Sequence, residues 1–180
     1  YKPVLNLVDS PSKGILIADE VGLGKTIEAG LIWTELRARF NANKLLVLCP
    51  AVLRDKWQRE LARRFGVRAT ICSAKELHEL LKQQRAGDID DFAAIVSLQG
   101  ARPPKGWEED DRIKTGAAEL ARFLAALDPG QPLFDCVIVD EAHTCSAGAS
   151  QSSSQQRRHA LLRDLMKSGE RHLVLATATP

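Results

Sequence analysis

The sequence lacks the features that mark membrane-spanning, secreted and repeat proteins. No apolar run approaches the roughly 18 residues that a membrane helix needs, and no segment recurs at a fixed period. The opening residues, YKPVLNLVDSPSK, do not form a secretory signal. We therefore expect no membrane partner.

A strong charge of either sign is also missing. The 25 Lys and Arg side chains are nearly balanced by 23 Asp and Glu side chains, which leaves a net charge of +2. This balance does not by itself indicate a nucleic-acid-binding protein, although it permits a local basic patch.

Closely spaced cysteines are absent as well. Cys49, Cys72, Cys136 and Cys145 are far apart, with no CxxC or CxH pair, so we do not expect a zinc site. The first three lie in apolar runs that predict buried strands. The cysteines therefore predict reduced thiols in a cytosolic protein.

The overall composition is that of a folded globular chain. Hydrophobic residues make up 44% of the 180 residues and charged residues 27%, which excludes a disordered protein. A chain of this length can bury a substantial core without disulfides or structural metals. We expect one domain over residues 1–180.

Short apolar runs alternate with longer stretches of helical period. The runs are rich in Val, Ile and Leu, as expected for strands that are covered on both faces. They are Gly14–Ala18, Lys44–Cys49, Ala69–Ser73, Phe92–Leu98, Phe134–Asp140 and His172–Ala176. Repeated strand–helix units connected by right-handed crossovers predict an α/β domain with a three-layer arrangement around a parallel sheet.

Helices are predicted between the runs. Two are expected near Lys25–Phe40 and Lys75–Gln84. Three more are indicated by apolar stripes at helical spacing. The stripes are Leu53, Trp57, Leu61 and Phe65; Leu120, Phe123, Leu124 and Leu127; and Leu161, Leu162, Leu165 and Met166.

Two segments interrupt this alternation. Ala101–Gly116 is rich in proline, glycine and charge, and predicts a loop. Thr144–Gln156 is small, polar and of low complexity, so we expect it to be mobile.

A glycine-rich turn follows the first predicted strand. Residues Asp19–Thr26 read DEVGLGKT, which fits the end of the phosphate-loop pattern GxxxxGK[ST] but has Asp19 at its first glycine position. Backbone N–H groups at a helix N-terminus favour an anion, and Lys25 and Thr26 would serve the β- and γ-phosphates and Mg²⁺. The alternative is a glycine-rich turn that only caps a helix. The predicted ATP-binding residues are Asp19, Glu20, Val21, Gly22, Leu23, Gly24, Lys25 and Thr26.

An acidic pair ends the fifth predicted strand. Asp140 and Glu141 would lie at the carboxyl edge of the sheet, the same edge as the phosphate loop. Asp140 suits the Mg²⁺ shell, and Glu141 suits the attacking water. His143 is interpreted as a sensor of nucleotide state. The alternative for the pair is a solvated acidic turn or a helix cap.

Basic side chains cluster around the helix that follows Pro50. They could neutralise phosphates of a nucleic acid, or they could form the solvated face of an amphipathic helix, since Asp55 and Glu60 dilute the charge. The cluster comprises Arg54, Lys56, Arg59, Arg63, Arg64 and Arg68. Trp33, Trp57 and Trp107 are expected to pack against the core.

Four motifs stand in a recognisable order: ADEVGLGKT followed by TIEAGLI, then LLVLCPAVLRDKWQREL, VIVDEAH and LVLATATP. The chain resembles the first RecA-like lobe of a helicase superfamily two protein. The Asp-Glu before the loop glycines and Trp57 after the second motif are similar to Swi/Snf-type double-stranded DNA translocases. ADEVGLGKTIEAG is most similar to the bacterial branch that contains the RNA-polymerase-recycling translocase and related restriction or phage-defence helicases.

The resemblance implies roles for individual residues. Lys25 and Glu141 would be catalytic in ATP hydrolysis, and Thr26 and Asp140 would hold Mg²⁺. His143, Thr177 and Thr179 would couple hydrolysis to lobe movement. The backbone of one DNA strand would be contacted by Pro50, Ala51 and Ser97. From the basic cluster, Arg54 is added to these candidate nucleic-acid contacts.

The resemblance also implies partners. It implies double-stranded DNA, a second RecA-like lobe carrying an arginine finger, a bacterial cytoplasmic, nucleoid-associated location, and RNA polymerase or a restriction or defence complex as further partners. Because the chain ends at Pro180, after the fourth motif, we expect that lobe to be missing and the isolated chain to hydrolyse ATP very slowly. Tyr1–Ala18 contains no glutamine, which many family members use upstream of the loop to read adenine.

Three other functions fit parts of the pattern. One is a strand-separating helicase or the motor subunit of a restriction system. Another is a phosphate-loop ATPase that acts on proteins, and the third is a nucleotide-binding module without turnover.

Overall fold

The computed structural model describes residues 14–18, 24–128, 130, 132–145, 152–167 and 172–177. A six-stranded sheet runs through them, and every strand pairs in parallel with its neighbours. The strands are β1 (Gly14–Ala18), β2 (Lys44–Cys49), β3 (Thr70–Cys72), β4 (Phe92–Ser97), β5 (Cys136–Asp140) and β6 (His172–Thr177). Their order across the sheet is β1-β6-β5-β2-β4-β3.

Helices connect the strands along the chain. The α-helices are α1 (Gly24–Phe40), α2 (Arg54–Phe65), α3 (Ala74–Ala86), the short α4 (Leu98–Ala101), α5 (Gly116–Ala125) and α6 (Ser153–Leu165). Two 3₁₀ turns, Ala51–Leu53 and Ala142–Cys145, follow β2 and β5. Among the described residues, no helix is both long and apolar enough to cross a bilayer.

Strand β2 shows why the sheet is covered on both faces. Leu45, Val47 and Cys49 pack with the apolar sides of α1 and α2, while Leu46 and Leu48 pack with α3, α5 and α6 on the opposite face. Successive side chains of a strand point to opposite faces, so an uninterrupted apolar run requires a helical layer on each side. The predicted three-layer α/β domain is confirmed.

The amino ends of the central strands are joined by one carboxylate. Oδ2 of Asp135 accepts hydrogen bonds from the backbone N–H groups of Asn43 and Lys44, at 2.8 and 2.9 Å. The backbone carbonyl of Asp135 accepts from the N–H of His172 at 3.1 Å. Asp135 therefore connects the starts of β2, β5 and β6 at the edge opposite to the carboxyl ends.

The irregular segment before α5 is organised by one arginine. The guanidinium of Arg122 donates to the backbone carbonyls of Ile113, Trp107 and Asp110 at 2.8 to 2.9 Å. The side chain of Trp107, in the same segment, is buried in a small cluster with Ala118 and Ala121 of α5. The predicted loop Ala101–Gly116 is present, except that its two end residues belong to α4 and α5.

The segment Thr144–Gln156 has regular structure at both ends, which the sequence did not predict. Thr144 and Cys145 belong to a 3₁₀ turn, and residues 153–156 form the first turn of α6. The side chain of Gln155 accepts a hydrogen bond from the N–H of Ser152 at 3.1 Å, which stabilises that helix start. Residues 146–151 lie outside the described residues.

All four cysteines are free and buried, and the three predicted in strands lie there. The predicted packing of Trp33, Trp57 and Trp107 in the protein interior is confirmed by their burial.

Candidate functional site

The carboxyl ends of three adjacent strands lie side by side. In the parallel register, Ala18 of β1 is opposite Thr177 of β6, and Ala176 of β6 is opposite Asp140 of β5. Neighbouring strands are about 4.8 Å apart, so the ends of β1 and β5 are about 10 Å apart, with β6 between them.

Helix α1 carries part of the predicted phosphate loop to this edge. It begins at Gly24, so Lys25 and Thr26 occupy its first turn, and their side chains are only 8% and 7% exposed. A buried lysine and hydroxyl at a helix N-terminus form an anion-binding arrangement. The other predicted loop residues, Asp19, Glu20, Val21, Gly22 and Leu23, lie outside the described residues.

Asp140 is held by two hydrogen bonds. Its Oδ1 accepts from the backbone N–H of Glu141 at 3.0 Å, and its Oδ2 accepts from the indole N–H of Trp57 at 2.9 Å. Asp140 as a whole is 7% exposed. The negative charge of Asp140 also affects the nearby thiol of Cys49. Burial and this charge raise the pKa of the Cys49 thiol to about 12, and the positive charge of Arg54 opposes the increase.

Glu141, His143 and Thr177 form a connected polar chain. Nδ1 of His143 lies 3.3 Å from Oε2 of Glu141 and 3.1 Å from the hydroxyl of Thr177. The chain thus joins the end of β5 to the end of β6. Glu141 has a backbone φ of 56°, in the left-handed region. Thr179, the other predicted coupling residue, lies outside the described residues.

The residues predicted to contact DNA lie further along the same edge, after β2 and β4. The backbone N–H of exposed Ala51 donates to Oε1 of Gln99 at 3.3 Å, and Nε of Arg54 donates to the carbonyl of Ala51 at 3.1 Å. Pro50 precedes them and is half-buried. The hydroxyl of Ser97 accepts from the N–H of Gly100 at 2.8 Å and caps α4, with the side chain buried.

Sequence reasoning missed two residues at this edge. Gln99 follows a predicted strand, but nothing in the local sequence indicates its contact with Ala51. Trp57 was predicted only to pack, because an indole at helical spacing with Leu61 gives a sufficient apolar explanation. Its hydrogen bond to Asp140 joins residues 83 positions apart.

Two further observations define the limits of the site. In the described ranges, no three His, Cys, Asp or Glu side chains are grouped closely enough to hold a metal ion by themselves. A groove of about 830 Å³ lies beside β3 and α3, at the sheet margin far from β1, and shares none of the site residues.

The chain is similar to known proteins over nearly its whole length. Residues 4–180 match the SNF2-related domain family. The chain is 30% identical over 175 residues to the RNA polymerase-associated protein RapA of Pseudomonas putida (strain GB-1), covering 97% of the chain and 16% of that protein. It is also 30% identical to the uncharacterized ATP-dependent helicase YqhH of Bacillus subtilis (strain 168), covering 97% of the chain and 24% of that protein.

The fold has a solved counterpart. The chain resembles the SWI2/SNF2 ATPase core of Sulfolobus solfataricus, determined in complex with double-stranded DNA, with a TM-score of 0.53 and 17% sequence identity. The likeness covers 93% of this chain and 28% of that one. The parallel sheet, its order and the match over nearly all residues lead to one conclusion: the chain is a RecA-like lobe and belongs to the SNF2-related domain family.

Proposed function

We propose that the chain is the ATP-binding lobe of a DNA-dependent ATPase in which hydrolysis of Mg-ATP drives movement along double-stranded DNA. The observation that carries the proposal is the position of two residue pairs: Lys25 and Thr26 are in the first turn of the helix that follows β1, and Asp140 and Glu141 are at the carboxyl end of β5. In parallel α/β sheets, ligands bind at the carboxyl ends of the strands.

The residues have separate roles in the proposed reaction. Lys25 binds the β- and γ-phosphates from the first turn of α1, together with the loop residues Asp19–Gly24. Glu141 orients the water that attacks the γ-phosphorus in line and accepts its proton, and the bond to the β-phosphate oxygen breaks to release ADP. The residues His143, Thr177 and Thr179 transmit the state of the γ-phosphate to the lobe.

The residues present fit a magnesium ion. Thr26 and Asp140 offer hydroxyl and carboxylate oxygens, the ligands that a hard cation prefers, and Mg²⁺ usually takes only one or two protein ligands beside the phosphates. The Trp57 and Glu141 N–H donors use one lone pair on each Asp140 oxygen, which leaves lone pairs for the ion. Mg²⁺, when bound, neutralises charge on the phosphate oxygens.

We propose that DNA binds along the neighbouring part of the same sheet edge, at the carboxyl ends of β2 and β4. Pro50, Ala51, Arg54 and Ser97 would meet the phosphate backbone of one strand. Such contacts carry no sequence information, which suits a motor that must step along any sequence. A second lobe would complete the nucleotide and DNA sites, since the chain spans only 16% and 24% of the lengths of the relatives named above.

Two finer proposals follow from the relatives. RapA is named for its association with RNA polymerase, so we include RNA polymerase as a partner of the full-length protein and a bacterial cytoplasm as its location. Strand separation is the alternative activity, in keeping with the name of YqhH. A strand-displacement assay on a duplex with a single-stranded tail distinguishes the two activities.

The decisive experiment measures nucleotide binding and ATP hydrolysis by the full-length protein, with and without duplex DNA. We expect Lys25→Ala to lose nucleotide affinity and Glu141→Gln to retain binding without turnover. The exposed loop residues Lys105 and Glu109 supply the matched controls Lys105→Ala and Glu109→Gln, which should behave as wild type. Normal DNA-stimulated turnover in Glu141→Gln would contradict the assigned role of Glu141.

A further inference from the structure

The indole of Trp57 joins two parts of the proposed machinery that are distant in sequence. Trp57 lies in α2, directly after the segment Pro50–Arg54, and its side chain is 1% exposed. Its Nε1 donates to Oδ2 of Asp140, across 2.9 Å. A buried tryptophan normally satisfies its N–H, and here the acceptor is the carboxylate that we assign to the magnesium ion.

The hydrogen bond completes the restraint on the carboxylate. The backbone N–H of Glu141 holds Oδ1 at 3.0 Å, so a single donor would leave the carboxyl plane free to rotate about that contact. With Trp57 on Oδ2, both oxygens are fixed by groups on separate elements, the end of β5 and helix α2. Ligands of metals are commonly oriented in this way by hydrogen bonds from residues that do not touch the metal.

A second tryptophan shows that packing alone does not require such a bond. Trp33 of α1 lies in the same apolar cluster as Trp57 and is also 1% exposed. Within the described part of the chain, its Nε1 has no hydrogen-bond partner. The two indoles therefore make similar apolar contributions to the core and differ in what their N–H groups contact.

We propose that Trp57 is a positioning residue for magnesium: its indole N–H fixes the carboxylate of Asp140 in the orientation that receives the ion. This inference rests on the proposed function, because it takes Asp140 as the magnesium ligand. Trp57 belongs to α2, the helix that begins at the proposed DNA contact Arg54, and it would stabilise a residue of the nucleotide site.

The test uses the full-length protein and compares Trp57→Phe with Trp33→Phe. Both changes remove a buried indole from one cluster, but only the first removes a donor to Asp140. The measured quantity is the factor by which Mg²⁺ tightens binding of a fluorescent ATP analogue, obtained from titrations with Mg²⁺ and with EDTA. We expect Trp57→Phe to reduce this factor about 10-fold, with binding in EDTA unchanged, and Trp33→Phe to leave it unchanged.

A variant that already carries Asp140→Ala tests whether Trp57 affects magnesium binding through Asp140. If Trp57 acts through Asp140, adding Trp57→Phe to Asp140→Ala changes the magnesium factor no further. Equal factors for Trp57→Phe and Trp33→Phe would overturn the inference, and so would a Trp57→Phe effect that persists without Asp140.

Two provisions keep the test decisive. If Trp57→Phe does not fold, β-(3-benzothienyl)alanine at position 57 replaces the N–H by sulfur in a ring of the same shape, and the same loss is expected. A wild-type protein that shows no Mg-ATP binding would overturn the proposed function and this inference together. Wild-type binding with a normal magnesium factor in Trp57→Phe would overturn this inference alone.

Discussion

Glu141 is held in a backbone conformation that its side chain does not favour. Its φ of 56° places it in the left-handed region, which costs an ordinary L-residue about 1–2 kcal/mol. Asn41, with a φ of 53° at the end of α1, is the other described non-glycine residue of this kind, and asparagine tolerates it better. Strain retained at a carboxylate beside a proposed nucleotide site is consistent with a functional constraint on that side chain.

A pair of substitutions separates the backbone cost from the side chain. We expect Glu141→Gly to be about 1 kcal/mol more stable than Glu141→Ala, because only glycine adopts this φ without a steric penalty. Both variants lose the carboxylate and its contact with His143, so their difference reports the backbone. Denaturant unfolding monitored by circular dichroism measures it, and equal stabilities would show that the residue is not strained.

At the scale of elements, the contact between α3 and α5 depends on a glycine. A Cβ added to Gly116, the first residue of α5, would lie 2.8 Å from the Cβ and 2.9 Å from the backbone nitrogen of Lys75. These atoms belong to the first turn of α3, so the helices themselves would have to separate. A side chain at position 116 is therefore excluded by the close approach of two backbones.

Gly116→Ala should destabilise the chain by about 1–3 kcal/mol, the usual cost of overpacking. The sign is informative, since alanine in place of glycine stabilises a helix, by about 1 kcal/mol in the interior and by less at the first residue. The midpoint and slope of a urea unfolding curve give the change in the free energy of unfolding. A stabilised variant would show that α3 and α5 are not in such close contact.

The start of α3 is predicted to weaken in acid. Oε2 of Glu76 accepts from the backbone N–H of Ser73 at 2.7 Å, and Oγ of Ser73 accepts from the N–H of Glu76 at 3.2 Å. The backbone and side-chain hydrogen bonds with Ser73 lower the pKa of Glu76 below its ordinary value of 4.5. This capping box therefore favours the ionised carboxylate.

The lowered pKa fixes the direction of the pH dependence. The carboxylate of Glu76 stabilises the fold fully above its unfolded-state pKa, and this contribution is lost as the pH falls from about 5 through the lower folded-state pKa. Glu76→Gln should remove that part of the acid sensitivity while keeping an acceptor. Unfolding curves at several pH values compare the variants, with Glu108→Gln, in the exposed loop, as the control.

Local signals in the sequence predicted the elements well because they are strong. The predicted Val-, Ile- and Leu-rich runs begin and end within two residues of the observed strands. The signal is strong because a strand covered on both faces needs consecutive apolar residues. The start of α6 was missed because Ser152 and Gln155 lie in a serine-rich stretch that was interpreted as mobile. The strand order was not predicted, since it depends on contacts between residues far apart in the chain.

In the candidate site, too, local sequence predicted the residues at the strand ends but not the contacts between distant residues. Lys25, Thr26, Asp140 and Glu141 were predicted because each follows a strand whose carboxyl end must lie at one edge. The hydrogen bonds from the indole of Trp57 to Asp140 and from the backbone N–H of Ala51 to Gln99 were not predicted, because no local pattern specifies which distant polar group a side chain meets. The use of the Ser97 hydroxyl as a helix cap depends on α4, a helix too short to predict.

At the scale of the whole molecule, the residues proposed to bind nucleotide and those proposed to bind DNA lie along one edge of the sheet. The proposed nucleotide residues lie at or after the carboxyl ends of β1, β5 and β6, and the proposed DNA residues at or after those of β2 and β4. Strand β2 is directly beside β5, and β4 is on the far side of β2. Residues of α2 therefore extend from one region to the other. Any DNA contact made there would be electrostatic and would depend on salt.

Arg54→Ala should weaken DNA binding by the full-length protein and lower the slope of log K against log salt by about 1, as expected for one phosphate contact. Arg64→Ala is the control, because Arg64 is at the other end of α2 and pairs with Glu60. Fluorescence anisotropy of a labelled duplex at several salt concentrations measures both slopes. An unchanged slope for Arg54→Ala would remove Arg54 from the DNA contacts.

The enclosure of every native thiol makes the chain suitable for site-specific dyes. Burial raises the pKa of Cys49, Cys72, Cys136 and Cys145, so the thiolate that attacks a maleimide is scarce at neutral pH and poorly accessible. A cysteine placed at an exposed position such as Gln83 would then react selectively, with the native ones left in place. A dye could thus be attached to this chain without first replacing its four cysteines.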